Sequence, residues 1–257
     1  MKPSFAHSLL YALIPLLLAS LACNTLLPPR PKVEWDTDPN ALIVSATISG
    51  GMVPQSVAIN YIPDAQVWGD GRIVWVEYLG DGQRRVLEAT LTPDQLRAFL
   101  QRAVDDGFFG WEASYADYNV YDAATQCLSL TLTSSSKSVC EYVRGAPRAF
   151  HTLYGEVASG LGLTGSDYRP ERGYLTAQAL NYEGQPTPEV MLHWPADSMG
   201  LSLSDAAGGA WVEGEALELA WRVVNINLWG GLVQEGETYY ELTLQVPGVS
   251  QILPPEP

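Results

Sequence analysis

The sequence predicts an α+β fold: a mainly antiparallel β-sheet, made of a meander and hairpins, with two or three helices packed on it. Asp-Gly pairs at residues 70–71 and 81–82 are each flanked by alternating apolar residues, which is typical of hairpins with two-residue turns. A helix signal follows, with Thr92 at the N-cap and Gln95 at the capping-box position. Three short strands followed by one helix are therefore predicted for residues 63–107.

The turn lengths decide which side chains of this meander share a face, because successive side chains of a strand point to opposite sides. With two-residue turns, the face predicted to form the core carries Ala65, Val67, Val74, Val76, Leu87, Ala89 and Leu91. The other face carries Trp68, Ile73 and Trp75 among polar residues. It is either covered by a second layer or partly exposed, and exposed rings would make Trp68 and Trp75 candidate ligand-binding residues.

The rest of the chain contains further strand and helix patterns. The other predicted strands are residues 41–48, 56–62, 128–133, 138–143, 174–180 and 189–194, with a last hairpin over residues 232–246. One helix is predicted to open at Pro147. Another spans residues 215–224, where the spacing fits a strand or a helix and the Ala, Leu and Glu content favours the helix. Residues 41–250 are interpreted as one domain, with a possible subdivision near 165–172 and a disordered tail at 251–257.

The N-terminus has the layout of an export signal. Lys2 precedes a mainly apolar stretch, and Ser20-Leu21-Ala22 stand directly before Cys23. This resembles the lipobox of bacterial lipoproteins, which implies removal of residues 1–22, acylation of Cys23 and attachment to the extracytoplasmic face of the cell membrane or outer envelope. An ordinary signal peptide with a chance cysteine, or an uncleaved anchor, are the alternatives. Residues 23–40 contain four prolines and are predicted to form an extended tether.

The two remaining cysteines, Cys127 and Cys140, make an even pair, for which a disulfide is the default in an oxidising compartment. The simplest hairpin, with residues 134–137 as its loop, instead places Cys140 opposite Thr131. That register leaves the two cysteines too far apart for a bond. Either this register is incorrect or the thiols stay free, and we favour the bond.

Composition and motifs exclude several classes of function. The chain has 14 basic and 29 acidic residues and a net charge of −15, which argues against nucleic acid as a partner. Residues 160–165 match the G-x-G-x-x-G pattern but follow a predicted helix, so they are interpreted as a helix stop and not as a nucleotide site. His151 and His193 lie outside any zinc spacing. We therefore predict no catalytic, cofactor or metal site.

One segment concentrates aromatic and polar side chains of the kind used in sugar or peptide recognition. Its candidate ligand-binding residues are Trp111, Tyr115, Asp117, Tyr118, Asn119, Tyr121 and Asp122. The alternative is that these tyrosines pack over a sheet edge with their hydroxyls in water.

Three short patterns at residues 69–71, 91–95 and 107–109 (Gly-Asp-Gly, Leu-Thr-x-x-Gln and Gly-Phe-Phe) resemble a pattern in uncharacterised secreted bacterial proteins, which implies no activity. The favoured function is a membrane-anchored, non-catalytic lipoprotein that binds a protein or glycan partner or contributes to the envelope. The alternatives are a carbohydrate-binding surface protein and a hydrolase, which would need His151 or His193 to converge with acids in one concave pocket.

Overall fold

The computed structural model describes residues 33–80, 82–181, 192–227 and 231–256. The strands of this part of the chain are β1 (Leu42–Gly50), β2 (Ala65–Trp68), β3 (Arg72–Gly80), β4 (Gln83–Thr90), β5 (Ser114–Ala116), β6 (Ala124–Leu132), β7 (Ser135–Tyr142), β8 (Ser166–Asp167), β9 (Gly173–Leu180), β10 (Ala210–Val212), β11 (Gly231–Glu235) and β12 (Thr238–Gln245). The helices are α1 (Gln55–Ile59), α2 (Pro93–Asp105), α3 (Arg148–Ala158), α4 (Ala196–Met199) and α5 (Gly214–Ile226). The predicted α+β fold, mainly antiparallel sheet, is confirmed.

The strands form two sheets. The larger has the order β5-β7-β6-β1-β2-β3-β4-β8 and the smaller has the order β10-β9-β12-β11. Within these described sheets, the strand pairs are antiparallel except for β5 and β7, which run parallel. Helices α2 and α3 pack on one side of the larger sheet. The smaller sheet and α5 pack against its other side, where they cover β2, β3 and β4.

The registers of the meander differ from the predicted ones by one residue. Val67 pairs with Ile73, because the first loop contains three residues, 69–71, and not two. At the second turn, a register shift between Tyr78 and Gly80 has the same effect. A slip of one residue exchanges the two faces of a strand, so the predicted division of the meander into faces is wrong.

Both faces of the meander are covered by apolar layers. Ala65, Val67, Ile73, Trp75 and Leu87 pack with α2 and α3, whereas Trp68, Val74, Val76 and Val86 pack with the smaller sheet and α5. Trp68 is 5% exposed and Trp75 is 4% exposed. Of the two alternatives, the second layer is therefore the one that the chain adopts.

The start and the end of α2 follow the local sequence closely. The Gln95 N–H donates to Thr92 Oγ1 at 3.2 Å and the Thr92 N–H donates to Gln95 Oε1 at 2.8 Å, which is a complete capping box. After α2, Gly107 adopts a left-handed conformation with φ 86°. The helical interpretation of residues 215–224 is confirmed by α5. The predicted strand at 56–62 is wrong, because the chain instead forms α1 directly after Pro54; such a short apolar run fits both periods.

The hairpin of β6 and β7 brings the two cysteines together. Leu132 pairs with Ser135, so the turn contains two residues and the predicted loop 134–137 is wrong. Cys127 then lies directly opposite Cys140, with a Cα–Cα distance of 4.1 Å, and the two form a disulfide. The Cys140 N–H donates to Ala113 O, away from β6. The cysteines are thus a non-hydrogen-bonded pair, the type with the shorter Cα separation.

The folded unit begins at Val33, before the predicted boundary at residue 41. Trp35 Nε1 donates to Gly69 O at 3.0 Å, and the Thr133 N–H donates to Glu34 O at 2.8 Å. The predicted signal peptide, Cys23 and the tether up to residue 32 lie outside the described residues, as do residues 182–191, which include the first half of the predicted strand 189–194.

Near the C-terminus, the Gln251 N–H donates to Tyr61 O at 2.9 Å, and Gln245 Nε2 donates to the carbonyl oxygens of Ile252 and Leu253. The first residues of the predicted tail are thus tied to the domain. Among the helices that the structure describes, none has the length and apolar character needed to cross a membrane.

Candidate ligand-binding site

Half of the larger sheet is left uncovered by the smaller sheet, and this half carries rows of hydroxyl groups. Leu128, Leu130 and Val139 face α2 and α3, so the alternate residues of β6 and β7 face the opposite side. Across the strands, the Ser129 hydroxyl donates to that of Ser138 at 2.9 Å. We call this surface the hydroxyl face; its members are Thr47, Ser49, Thr125, Ser129, Thr131, Ser136, Ser138 and the half-buried disulfide.

A pocket of about 380 Å³ lies at one end of the hydroxyl face. Three tyrosines, Tyr118, Tyr121 and Tyr142, contribute to its wall, and we call them the tyrosine platform. The rings of Tyr118 and Tyr142 stack with a centroid distance of 6.4 Å and an interplanar angle of 26°. Tyr118 is 79% exposed and Tyr121 is 84% exposed. Two large aromatic side chains thus present most of their surface to solvent beside a concave, hydroxyl-lined surface.

Asp117 holds the loop that carries these tyrosines. The backbone N–H of Asn119 donates to Asp117 Oδ1 at 3.1 Å, the Asn119 side-chain amide donates to it at 2.8 Å, and Arg144 Nε donates to Asp117 Oδ2 at 2.7 Å. In that order of effect, the two Asn119 groups and the Arg144 guanidinium lower the pKa of Asp117 from its ordinary value. The carboxylate is therefore charged at neutral pH, and its hydrogen bonds hold Asn119 and Arg144 in place around the loop.

The base of the tyrosine platform is fixed by the Tyr142 hydroxyl, which bonds to the backbone on both sides of Tyr121. It donates to Val120 O at 2.8 Å and accepts from the Ala123 N–H at 3.3 Å. Asp122, which follows Tyr121, has a left-handed φ of 59°. Asp tolerates this conformation better than most residues do. These contacts restrict the backbone of Tyr121 while its ring stays exposed.

The other predicted aromatic ligand residues of this segment, Trp111 and Tyr115, pack against the rest of the domain. Trp111 is half-buried, with its ring 5.4 Å from that of Phe108. Tyr115 is partly buried against the helix-side core, and its hydroxyl accepts from the Glu112 N–H at 3.0 Å. Lys137 Nζ donates to Trp111 O. The segment therefore divides into an anchored first part and an exposed tyrosine-bearing second part.

Trp68 and Trp75, the other predicted ligand residues, are buried on opposite faces of the meander. Neither ring is accessible for stacking on a ligand, which removes this part of the predicted site. The physical reason is that both faces of the meander are covered: the smaller sheet and α5 pack over Trp68, and α2 and α3 pack on the side of Trp75.

The two histidines lie apart from the pocket beside the tyrosine platform. His151 Nε2 lies 3.6 Å from Glu141 Oε1, and that carboxylate also accepts from the Ala146 N–H at 2.7 Å. His193 takes part in an isolated β-bridge with Gln234. Neither histidine lines the pocket beside the tyrosine platform. In the ranges that the structure describes, no group of three His, Cys, Asp or Glu side chains is arranged to hold a metal ion.

The chain matches no protein-family model, no curated protein and no solved structure. Its function has to be inferred from its own residues.

The hydroxyl face could be predicted from the sequence only in part. Ser129 and Thr131 alternate with leucines, which placed them on one side of a strand. Their partners Ser136 and Ser138 could be found only with the correct hairpin register. Four arginines near α5, Arg84, Arg85, Arg169 and Arg222, are spread along the chain and gave no sequence signal.

Proposed function

We propose that this protein is a non-catalytic binding protein, held at the extracytoplasmic surface by a lipid on Cys23, that recognises carbohydrate through the tyrosine platform. The observation that carries this proposal is the exposure of Tyr118 and Tyr121 beside a pocket on the hydroxyl face. Exposed apolar surface of this kind is a frequent property of binding sites.

The chemistry of the surface matches a sugar better than a purely apolar ligand. The C–H face of a pyranose ring packs on an aromatic ring, as other apolar groups do, while its hydroxyls need hydrogen-bond partners. Ser and Thr hydroxyls both donate and accept, so they adapt to either role. Thr125 and Ser114 line the pocket together with the tyrosines and supply such groups.

Asp117 supports binding and not glycoside hydrolysis. A glycosidase needs a general acid with a raised pKa beside a second carboxylate. The pKa of Asp117 is instead lowered, because Asn119 and Arg144 donate to its carboxylate. Both carboxylate oxygens of Asp117 are occupied in holding the loop.

The binding part is tested with the full-length chain, extracted from membranes in detergent, against a panel of insoluble and soluble polysaccharides that includes peptidoglycan, chitin, cellulose and starch. We expect saturable binding to at least one of them. Tyr121→Ala and Tyr118→Ala should each weaken it about tenfold, the factor that about 1.4 kcal/mol of lost stacking produces. Tyr121→Phe should retain most of the affinity, because the ring remains.

The matched control is Leu253→Ala, which removes an apolar side chain that is 68% exposed but lies near the C-terminus. Its affinity should equal that of the wild type. Absence of binding across the panel, or equal losses for Leu253→Ala and the tyrosine variants, would refute carbohydrate recognition at this site.

The anchoring part is tested separately by intact mass and membrane fractionation of the wild type and of Cys23→Ser in a bacterial host. We expect the wild type to begin at Cys23, to carry the added mass of acyl chains and to stay with the membrane, since two chains are needed for stable attachment. The variant should lose both properties. A wild-type chain cleaved at another site and released would refute the anchor and leave a secreted binding protein.

A further inference from the structure

A cleft of about 420 Å³ lies between β4, the segment around β8 and helix α5, away from the tyrosine platform. Four arginines line it: Arg84, Arg85, Arg169 and Arg222. They are four of only 14 basic residues in a chain whose net charge is −15. The acids in its wall are Asp167 and Glu218. Positive charge is therefore concentrated at one concave place on a protein that is otherwise strongly acidic.

Arg84 is the unusual member of this group, because its side chain is buried without a counter-charge. The residue is 5% exposed. Its Nε donates to Asn225 Oδ1 and its Nη2 donates to Asn60 O at 2.7 Å, and both acceptors are neutral. No carboxylate of the described residues forms an ion pair with it. A buried charge is costly unless it is paired, so Arg84 lacks the partner that would offset its burial.

The electrostatics of Arg84 agree with this description. Burial lowers the pKa of Arg84 to about 10, with Tyr78 and Tyr61 acting in the opposite direction. The guanidinium is still protonated at neutral pH. An anion in the cleft would stabilise the charged form, since an opposite charge nearby favours ionisation.

The other arginines differ in their availability to a ligand. Arg85 is already paired, with Nη2 2.8 Å from Asp167 Oδ1 and Nη1 3.5 Å from Glu77 Oε2. The side chains of Arg169 and Arg222 are exposed, and neither forms an ion pair with any acid in the described ranges. These two supply guanidinium groups that are free to bind a carboxylate or phosphate in the bidentate manner.

The remaining wall is aromatic and apolar. The rings of Tyr168 and Trp221 meet edge to face, with centroids 6.0 Å apart, and Leu217 and Val86 lie beside them. Burial raises the pKa of Tyr168, so its hydroxyl stays neutral. The size of the cleft is within the range of small-molecule sites, about 300–1,000 Å³.

We propose that this cleft binds a small organic anion, a carboxylate or phosphate monoester on an aromatic or apolar body. The head group binds Arg84, Arg169 and Arg222, and the body packs against Tyr168 and Trp221. The proposal goes beyond carbohydrate recognition and uses none of the same residues.

The test uses the full-length chain in detergent and three probes: phenyl phosphate, benzoate and inorganic phosphate, each titrated by calorimetry at low ionic strength. We expect saturable binding of phenyl phosphate or benzoate below about 1 mM, and the tighter of the two identifies the head group. Inorganic phosphate should bind at least about tenfold more weakly, because it makes no contact with the aromatic wall. Added salt should weaken all three interactions.

The variants separate a ligand site from a structural arginine. Arg222→Gln and Arg169→Gln change exposed side chains, so they should fold normally and weaken binding about tenfold each, as expected for loss of a charge-assisted hydrogen bond. Arg148→Gln, at an exposed arginine on α3, is the matched control and should bind like the wild type. Arg84→Lys keeps the buried charge but not the fork of donors, and should also lose affinity.

Three outcomes would overturn the proposal. The first is that none of the probes saturates up to about 1 mM. The second is that Arg222→Gln and Arg169→Gln bind as tightly as Arg148→Gln. The third is that inorganic phosphate binds as tightly as phenyl phosphate, which would contradict the role of the aromatic wall.

Discussion

The substitution Gly165→Ala tests how the Trp75 indole is packed inside the domain. A Cβ atom at residue 165 would lie 2.3 Å from Trp75 Cη2, 2.9 Å from Trp75 Cζ2 and 3.0 Å from Leu87 Cβ. Because carbon atoms pack best at about 3.5–4.0 Å, the overlap with the indole exceeds about 1 Å. Gly160 lies against the same ring, where an added Cβ would be 2.6 Å from Trp75 Cε2. The buried indole therefore has little room to move away.

The expected cost follows from two opposing effects. Overpacking a well-packed core costs about 1–3 kcal/mol, while replacing glycine by alanine stabilises by about 0.4–1 kcal/mol through the unfolded chain. We expect Gly165→Ala to lower the free energy of unfolding by about 1–2 kcal/mol, measured by urea denaturation with circular dichroism. The same change at Gly155, exposed within α3 and with no atom within 4 Å of the added Cβ, should raise it by about 0.5–1 kcal/mol.

A second background makes the test specific to the indole. In Trp75→Phe, which has a smaller ring, the cost of Gly165→Ala should shrink, because residues in contact are not additive. The reasoning is refuted if Gly165→Ala is neutral or stabilising, or if its cost is the same in both backgrounds.

Three further changes probe the disulfide, a buried hydrogen bond and a helix cap. Replacing both Cys127 and Cys140 by serine opens a link between residues 13 apart and should cost about 3 kcal/mol in urea denaturation; a cost near zero would contradict this. Tyr154 Oη donates to Asp64 Oδ2 at 2.6 Å, so Tyr154→Phe should cost about 1.5–3 kcal/mol at neutral pH. Burial and Asp64 raise the pKa of Tyr154, so above about pH 10 the unfolded phenol ionises first and this difference should fall, whereas a constant difference would refute the link. Thr92→Ala should cost about 1 kcal/mol and reduce helix content, and no change in stability would mean that the capping box is dispensable.

Local chemistry was sufficient to predict the starts of α2 and α3, but not the strand registers. The capping box of α2 involves residues three apart, so its sequence pattern contains all the information needed. The first meander loop depends on a distant segment: a Cβ at Gly69 would lie 2.1 Å from Asp36 O and 2.5 Å from Asp38 O. The N-terminal segment therefore packs closely against this loop, and the Asp-Gly pair alone did not reveal a loop of three residues.

The same dependence on register limited prediction of the cleft lined by Arg84 and Arg85. Arg84 and Arg85 are adjacent and identical in the sequence, yet one is buried and the other is exposed. Arg84 pairs with Tyr78 and Arg85 with Glu77, and only the observed register determines which arginine points into the interior. The tyrosine platform could be predicted in part, because an irregular segment rich in aromatic residues is a reasonable binding candidate whatever the register of the strands. The tryptophans failed as candidates because each is covered by elements formed later in the chain: Trp68 by the smaller sheet and α5, more than 100 positions away, and Trp75 by α2, α3 and the glycines at 160 and 165.

The order of strands makes the two proposed sites independent, which can be checked directly. The tyrosine platform adjoins β7, and the cleft lined by Arg84 and Arg222 adjoins β4, five strand positions away in the larger sheet. At about 4.8 Å per strand, this is about 24 Å, more than twice the distance over which charges interact at physiological salt. Tyr121→Ala should therefore leave phenyl phosphate binding unchanged, and Arg222→Gln should leave polysaccharide binding unchanged. Loss of both activities in either variant would indicate one shared site or a damaged fold, and circular dichroism of the same samples distinguishes these two results.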